Sequence, residues 1–149
     1  MNVANNKRRQ DTQQKIEDVF VALLQKKSLH EVEVYELCKL AQIDRSTFYS
    51  HYEDVSALAN TFSEKTEEFV LAQPHGEGDY SWIFACIKEH PQRFTAYFKL
   101  GIRDVQADYK TLFLRSAVHG VAKLWFENRC IESAEKMGEI IAHQLKGKL

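Results

Sequence analysis

A short polar stretch carries the side chains best suited to contact another molecule. Six residues that can hydrogen bond surround Phe48 on a segment of helix-forming length. Phe48 and Tyr52 are the large apolar members of this stretch and are predicted to face inward. The pattern suits hydrogen bonding to a polar surface. The six polar residues are Arg45, Ser46, Thr47, Tyr49, Ser50 and His51.

Patterns for catalysis or metal binding are missing from the sequence. It has no glycine-rich phosphate loop, no nucleophile elbow and no catalytic pair of carboxylates. The histidines show no metal-ligand spacing. Cys38, Cys86 and Cys130 lie far apart without a C-x-x-C pair, so a zinc site or a disulfide framework is not expected. We therefore expect a protein that is not an enzyme and that uses no cofactor and no metal.

The elements around the polar stretch predict a helix-turn-helix. Residues 33–52 supply a short helix, a three-residue connector and a second short helix, with Asp44 as its expected N-cap. In this motif the second helix enters the DNA major groove, whose width of about 12 Å admits a helix. A helix before the motif is predicted from its one-face apolar spacing. The apolar sides of these first two helices are Ile16, Val19, Phe20, Leu23 and Leu24, and Val34, Leu37, Leu40 and Ala41.

Residues 11–62 resemble the DNA-binding domain of TetR-family transcriptional regulators. The run VYELCKLAQIDRSTFYSHY, residues 34–52, is similar to that family's second helix, turn and recognition helix. Its most distinctive part is the Thr-Phe-Tyr sequence at 47–49, followed by an aromatic residue at 52. The resemblance implies an all-α protein. An N-terminal three-helix helix-turn-helix domain would be joined by a long helix to a C-terminal helical dimerisation bundle.

The resemblance also implies which side chains meet DNA. It implies that Arg45, Ser46 and Thr47 contact base edges or nearby phosphates. It also implies that Tyr49 and His51 bind the phosphate backbone. Tyr35, at the start of the second helix, is implied as a further phosphate contact. The complete set of expected DNA-binding residues is Tyr35, Arg45, Ser46, Thr47, Tyr49, Ser50 and His51.

Two positions depart from the family's pattern. Gln42 stands in the turn, where the family usually has Gly, and a left-handed backbone is costly for a residue with a side chain. Val55 stands where the family usually has a Lys that contacts phosphate. Without that contact, the slope of the logarithm of DNA affinity against the logarithm of salt concentration would be smaller by about one at most.

Three segments are expected along the chain. Residues 1–10 are polar and end in Lys7-Arg8-Arg9, which predicts a flexible basic arm before a helix capped by Asp11 or Thr12. The arm is either a DNA contact in a minor groove or an ordinary basic tail. Residues 11–53 form the predicted DNA-binding domain, and residues 54–149 form a helical regulatory and dimerisation domain.

The C-terminal part is expected to form about four helices after a break at residues 74–79, where Pro and Gly cluster. The resemblance implies that this part binds a ligand and dimerises through its last two helices. The candidate ligand pocket is Trp82, Phe94, Tyr97, Phe98, Tyr109 and Phe113, with simple core packing as the alternative. The candidate dimer interface is Val121, Leu124, Trp125, Met137, Ile140 and Ile141.

The expected function is a dimeric, sequence-specific DNA-binding transcriptional regulator, with repression as the expected role. Its partners would be a palindromic double-stranded DNA operator, a second copy of the chain and an unknown small-molecule inducer. The alternative is a helical dimer whose degenerate helix-turn-helix acts through a protein or small-molecule partner. Residues 1–52 favour this alternative slightly, because they hold eight Lys or Arg against seven Asp or Glu. No signal peptide or membrane-spanning run is evident, so we expect a cytoplasmic protein without a membrane partner.

Overall fold

The structure of the chain, a computed structural model, describes residues 3–101 and 109–146, without the side chains at 109–111, 113 and 114. Within these ranges the regular secondary structure is helical, which confirms the predicted all-α class. Each helix there is too short or too polar to cross a lipid bilayer. The α-helices are α1 (Val3–Lys26), α2 (Val34–Ala41), α3 (Arg45–Tyr49), α4 (Val55–Leu71), α5 (Ser81–Glu89), α6 (Pro91–Leu100), α7 (Tyr109–Glu127) and α8 (Ala134–Leu145), with a 3-10 turn at Leu29–Glu31.

Helix α1 begins earlier than the sequence predicts. It starts at Val3, so residues 3–10 of the predicted flexible arm are helical. This segment has no Gly or Pro to interrupt a helix, and its Ala, Lys, Arg and Gln residues are good helix formers. Thr12 therefore lies inside the helix. Its hydroxyl donates to the carbonyl oxygen of Arg8 at 2.9 Å instead of capping a helix start.

The first of two compact units contains the chain up to Lys65 together with Thr95–Gly101. Its core is built on α1, where Phe20 is fully buried. The ring of Phe20 meets that of Phe62 from α4 edge to face, with centroids 5.9 Å apart. The first half of α4 thus packs into this core, and the predicted domain boundary after residue 53 stays a prediction.

A left-handed turn joins α2 to α3. Gln42 has φ 55° and ψ 50°, the backbone conformation in which its side chain was expected to be costly. The N–H of Gln42 donates to the carbonyl of Lys39 at 3.4 Å, and the N–H of Ile43 donates to that of Cys38 at 3.0 Å. These two bonds form the Schellman pattern that commonly closes a helix, usually with Gly at the left-handed position. The turn keeps the geometry of a glycine turn without the glycine.

Two details of the predicted helix-turn-helix are corrected. Leu40 was placed on the buried side of α2 by its spacing, yet it is 55% exposed. The face that α2 buries runs instead through Leu37, Cys38 and Ala41. Helix α3 ends at Tyr49 rather than at residue 52. The backbone N–H groups of the next two residues donate to carbonyl oxygens three residues earlier, which is the hydrogen-bond pattern of a 3-10 turn.

The second unit contains Thr66–Phe94 and the C-terminal part of the chain. Helices α5 and α8 cross at very short distance, since a Cβ built on Gly138 would lie 2.5 Å from the backbone nitrogen of Ser81. Phe84 of α5 is fully buried and meets Trp125 of α7 edge to face, with ring centroids 5.1 Å apart. The core of this unit therefore depends on a small residue at the helix crossing.

Local features of the sequence account for several helix ends of the second unit. Pro91 is the first residue of α6, where its missing N–H costs nothing. A turn at residues 128–130 follows α7. Ser133 caps α8, and its hydroxyl oxygen accepts a hydrogen bond from the backbone N–H of Lys136 at 3.2 Å. A proline and a capping serine thus mark the starts of two of these helices.

Candidate nucleic-acid interface

Helix α3 presents a polar surface and is held by two buried aromatic residues. Phe48 is fully buried and Tyr52 is 4% exposed, which confirms that they face inward. Their ring centroids are 5.8 Å apart. The polar side chains of the predicted interface lie on the other side of the helix. Arg45, Ser46, Tyr49 and Ser50 are exposed, whereas Thr47 and His51 are partly exposed.

Backbone contacts define the two ends of α3. Asp44 occupies the N-cap position with an extended backbone, but its carboxylate makes no capping hydrogen bond, contrary to expectation. Beyond the last turn, the hydroxyl of Ser50 donates to the carbonyl oxygen of Thr47 at 2.7 Å. The guanidinium of Arg9 donates to the carbonyl oxygen of Ser50 at 3.3 Å. Helix α1 therefore reaches the end of the polar helix through a basic side chain.

An open groove of about 440 Å³ lies beside α3, at the start of α2 and of α4. It brings together Tyr35, Arg45 and Tyr49, which the sequence analysis had placed on one DNA-binding surface. Tyr35 and Tyr49 are 63% and 49% exposed, so their hydroxyl-bearing rings are accessible. The groove also lies at the N-termini of α2 and α4, and the partial positive charge of a helix N-terminus favours an anion.

Other residues of the groove give it a mixed charge. Val55 lines it and supplies no cation, in agreement with the predicted departure at this position. Glu33 and Asp54 also line the groove, and both carry carboxylates that oppose an anion. The carboxylate of Asp54 also has a structural role, since its Oδ1 accepts a hydrogen bond from the backbone N–H of Ala57 at 2.7 Å. Ser56 lines the groove as well and was missed, because nothing in its local pattern distinguishes it from other surface serines.

The basic cluster Lys7-Arg8-Arg9 lies on the first turns of α1 and is exposed. A helix therefore carries these charges.

The pKa of His51 is lowered below 6.5, mainly because the ring is partly buried and to a smaller extent because the positive charge of Arg9 is near. His51 is therefore mostly neutral at pH 7.5 in the free protein.

The six aromatic residues predicted to line a ligand pocket belong to different units. Trp82 and Phe94 lie in the second unit, and Tyr97 and Phe98 lie in the first. The side chains of Tyr109 and Phe113 lie outside the described part of the structure. Phe94, Tyr97 and Phe98 are buried, which supports the alternative of core packing for these three. A ligand pocket stays a prediction.

The face predicted for dimerisation divides into buried and exposed residues. Three of its six members are buried in the protomer and have little surface left for a partner, and the interface as a whole stays a prediction. Leu124 and Ile140 are 60% and 37% exposed, and Val121 is partly exposed. These three stay candidates for an interface. The buried members are Trp125, Met137 and Ile141.

Comparison with known proteins shows the fold. No protein-family model matches the chain, and no curated protein does so. Among solved structures, it is similar to the crystal structure of a TetR transcriptional regulator from Streptococcus agalactiae 2603V. The TM-score is 0.67 at 19% sequence identity, over 95% of this chain and 97% of the other. The chain therefore has a TetR-like, all-helical fold, as the sequence resemblance implied.

Proposed function

We propose that the chain is a sequence-specific transcriptional regulator that binds double-stranded DNA through α3. The observation that carries this proposal is the division of α3 into two sides, with Phe48 and Tyr52 buried and the polar side chains accessible. A solvated connector helix would not need this placement of Arg45 and Tyr49 beside a groove at two helix N-termini. The TetR-like fold supports the same proposal.

The proposed contacts follow from the position of each side chain. The first turn of α3, Arg45–Thr47, enters the major groove and reads base edges, since a recognition helix contacts bases near its N-terminus. Tyr35 and Tyr49 flank the groove and bind phosphates, which fix the position of the helix on the duplex. His51 adds a phosphate contact near the end of α3, and Lys7 and Arg8 extend the basic surface.

The proposed active form is a homodimer that binds a palindromic operator. Leu124 and Ile140 support this proposal, because large exposed apolar side chains on α7 and α8 suit an interface between two copies. The chain would repress by occluding a promoter. An inducer would act by binding more tightly to a state in which the two recognition helices do not fit the operator.

A second candidate function is favoured by the acidic residues of the groove. Glu33 and Asp54 oppose a phosphate, and Val55 supplies no cation. A helical dimer whose groove binds a basic segment of a protein, or a small cationic ligand, would use the same residues. This candidate predicts that the groove binds its partner without DNA.

Selection of binding sites from random double-stranded DNA tests the proposed function. We expect an enriched palindrome whose half-sites are centred about 34–36 Å apart, because a dimer places its recognition helices in successive major grooves. Thr47→Ala should relax the selected sequence at one position per half-site, at a cost of about 1–3 kcal/mol. Tyr49→Phe should weaken binding of every sequence alike, since it removes a phosphate contact.

Leu40→Ala is a matched control, because Leu40 is exposed on α2 outside the groove. It should bind the selected operator as the unchanged chain does. Enrichment of no sequence would contradict the proposal and favour the second candidate. Wild-type affinity in both Thr47→Ala and Tyr49→Phe would show that the roles of these two residues are wrong.

Operator binding should strengthen as the pH falls from 7.5 to 5.5. His51 has a pKa below 6.5 in the free protein, and a nearby phosphate would raise that pKa in the complex. Binding then takes up a proton, so the added affinity is full below the free-state pKa and is lost as the pH rises through the bound-state pKa. We expect operator affinity to rise about threefold to tenfold per protomer over this pH range. A single titrating group can change the affinity by at most about tenfold per pH unit.

His51→Gln should abolish this gain, whereas His30→Gln should keep it. His30 is also in the first unit and is exposed, but it lies in the 3-10 turn, outside α3 and the groove. Fluorescence anisotropy with labelled operator at constant ionic strength measures both variants. An identical pH dependence in His51→Gln and the unchanged chain would refute the phosphate contact.

A further inference from the structure

A buried carboxylate joins three segments of the first unit. Glu17 of α1 is 5% exposed. Its Oε1 accepts a hydrogen bond from the hydroxyl of Tyr52 at 3.1 Å and one from the Nζ of Lys65 at 2.5 Å. Tyr52 lies just after α3 and Lys65 lies in α4. One oxygen atom thus connects α1, the end of the helix-turn-helix and α4.

The protonation of Tyr52 suits this arrangement. Burial, and then the neighbouring carboxylate of Glu17, raise the pKa of the Tyr52 hydroxyl far above its usual value, so it stays protonated and donates. Gln13 of α1 also hydrogen bonds to Tyr52. A tyrosine buried here without partners would leave an unsatisfied hydroxyl, and a buried Glu17 without Lys65 would be an uncompensated charge. The three groups therefore depend on one another.

The ring of Tyr52 transmits this constraint to the recognition helix. It packs against Phe48 of α3, with centroids 5.8 Å apart, and against His51 at 6.2 Å. Phe48 in turn meets Tyr49 edge to face at 5.5 Å. A displacement of the Tyr52 ring would therefore move the buried side of α3 and, with it, the polar side that we assign to DNA.

We propose that Glu17 and Tyr52 are positioning residues, which set the orientation of α3 for reading bases while touching no DNA themselves. This inference rests on the proposed DNA-binding function and adds the source of its specificity. Base readout depends on the orientation of the helix, whereas phosphate attraction by Lys and Arg tolerates small displacements. Loss of the cluster should therefore lower sequence discrimination more than overall attraction to DNA.

The experiment compares affinity for the selected operator with affinity for unrelated DNA of equal length and at equal salt. Tyr52→Phe and Glu17→Gln should each lower operator affinity by about 10-fold to 100-fold, the equivalent of one mismatched base pair or more. Affinity for unrelated DNA should change by less than about threefold. The double variant should lose little more than either single variant, because both weaken the same cluster, Glu17→Gln through the charge that faces Lys65 and Tyr52→Phe through the hydroxyl.

Glu36→Gln is the matched control. The carboxylate of Glu36 accepts a hydrogen bond from the Nζ of Lys27 at 2.5 Å, in a partly buried ion pair of the same unit. Replacing Glu36 by Gln removes one negative charge, as Glu17→Gln does. It should keep the ratio of operator to unrelated-DNA affinity, even where thermal stability falls. Lys65→Arg should keep the ratio, and Lys65→Met should lower it.

Each outcome is decisive for one of the two proposals. If Tyr52→Phe and Glu17→Gln fold and discriminate as the unchanged chain does, the positioning role is wrong and the DNA-binding function stands. If the unchanged chain binds no sequence preferentially, both proposals fall. Should Glu17→Gln prove unfolded, Tyr52→Phe decides alone, because it removes the hydroxyl that holds the ring and keeps the apolar ring that fills the core.

Discussion

Replacing Arg45 by alanine should lower operator affinity by at least about 30-fold. The side chain is exposed at the first residue of α3 and lines the groove beside Tyr35 and Tyr49. A recognition-helix arginine that contacts a base edge with both arms is worth about 1–3 kcal/mol. Because the proposed dimer carries two copies, the loss would double to about 2–6 kcal/mol, and each 1.4 kcal/mol is tenfold. Quantitative gel-shift titration with the selected palindrome measures this loss.

Lys39→Ala provides a control for simple loss of charge. Lys39 is exposed on α2 in the same unit and does not line the groove. Its removal should weaken binding of operator and of unrelated DNA by similar small factors, through the shared electrostatic attraction. Arg45→Ala should instead weaken operator binding selectively and relax the preferred base at its position. Equal losses on both DNAs would reassign Arg45 to a phosphate contact.

The inward and outward sides of the recognition helix were predictable from the sequence. Phe48 and Tyr52 are separated by one helical turn and are the large apolar residues of a polar stretch, so periodicity alone placed them inside. The resemblance also marked Gln42 as the residue of the turn at which a left-handed backbone would be costly. These features are local: each depends on residues within about one turn, where spacing and backbone geometry determine the result.

Contacts between distant residues were not predictable in the same way. Glu17 precedes Tyr52 by two helices and a turn, and nothing in the α1 pattern marks a glutamate that becomes buried. Leu40 shows the converse error, because an apolar residue at helical spacing was taken for core and is exposed. Side-chain type predicts burial only on average, since folded proteins keep much apolar surface exposed.

The predicted dimer face divides into buried and exposed residues for a related reason. Apolar residues occur on more than one side of α7 and α8, and a sequence does not say which side the protomer buries for itself. Trp125 is buried against Phe84, and its indole N–H donates to the carbonyl of Glu132 at 3.0 Å. Leu124, the neighbouring residue, points outward. Only packing within the second unit separates the core residues from the candidates for an interface.

Gly138→Ala should destabilise the protein by about 2 kcal/mol, although alanine is the better helix former by about 1 kcal/mol. A Cβ at this position would lie 2.5 Å from the nitrogen and 2.8 Å from the Cα of Ser81. Those are backbone atoms, and the same nitrogen donates to the carboxylate of Asp79 at 2.8 Å, so they cannot move aside as a flexible side chain would. Helices α5 and α8 must separate, and overpacking of this kind costs about 1–3 kcal/mol, occasionally more.

Gly120→Ala should change the free energy of unfolding in the opposite direction, so that the two variants together test the close helix crossing. Gly120 also lies inside a helix of the second unit, α7, and a Cβ there would meet nothing within 4 Å. Relief of the glycine penalty should stabilise this variant by about 0.5–1 kcal/mol. Thermal unfolding at equal protein concentration should place the two melting temperatures on either side of that of the unchanged chain. A stabilised Gly138→Ala would mean that α5 and α8 do not cross as closely as the structure shows, and that the outward direction of Ile140 on α8 must be reassigned.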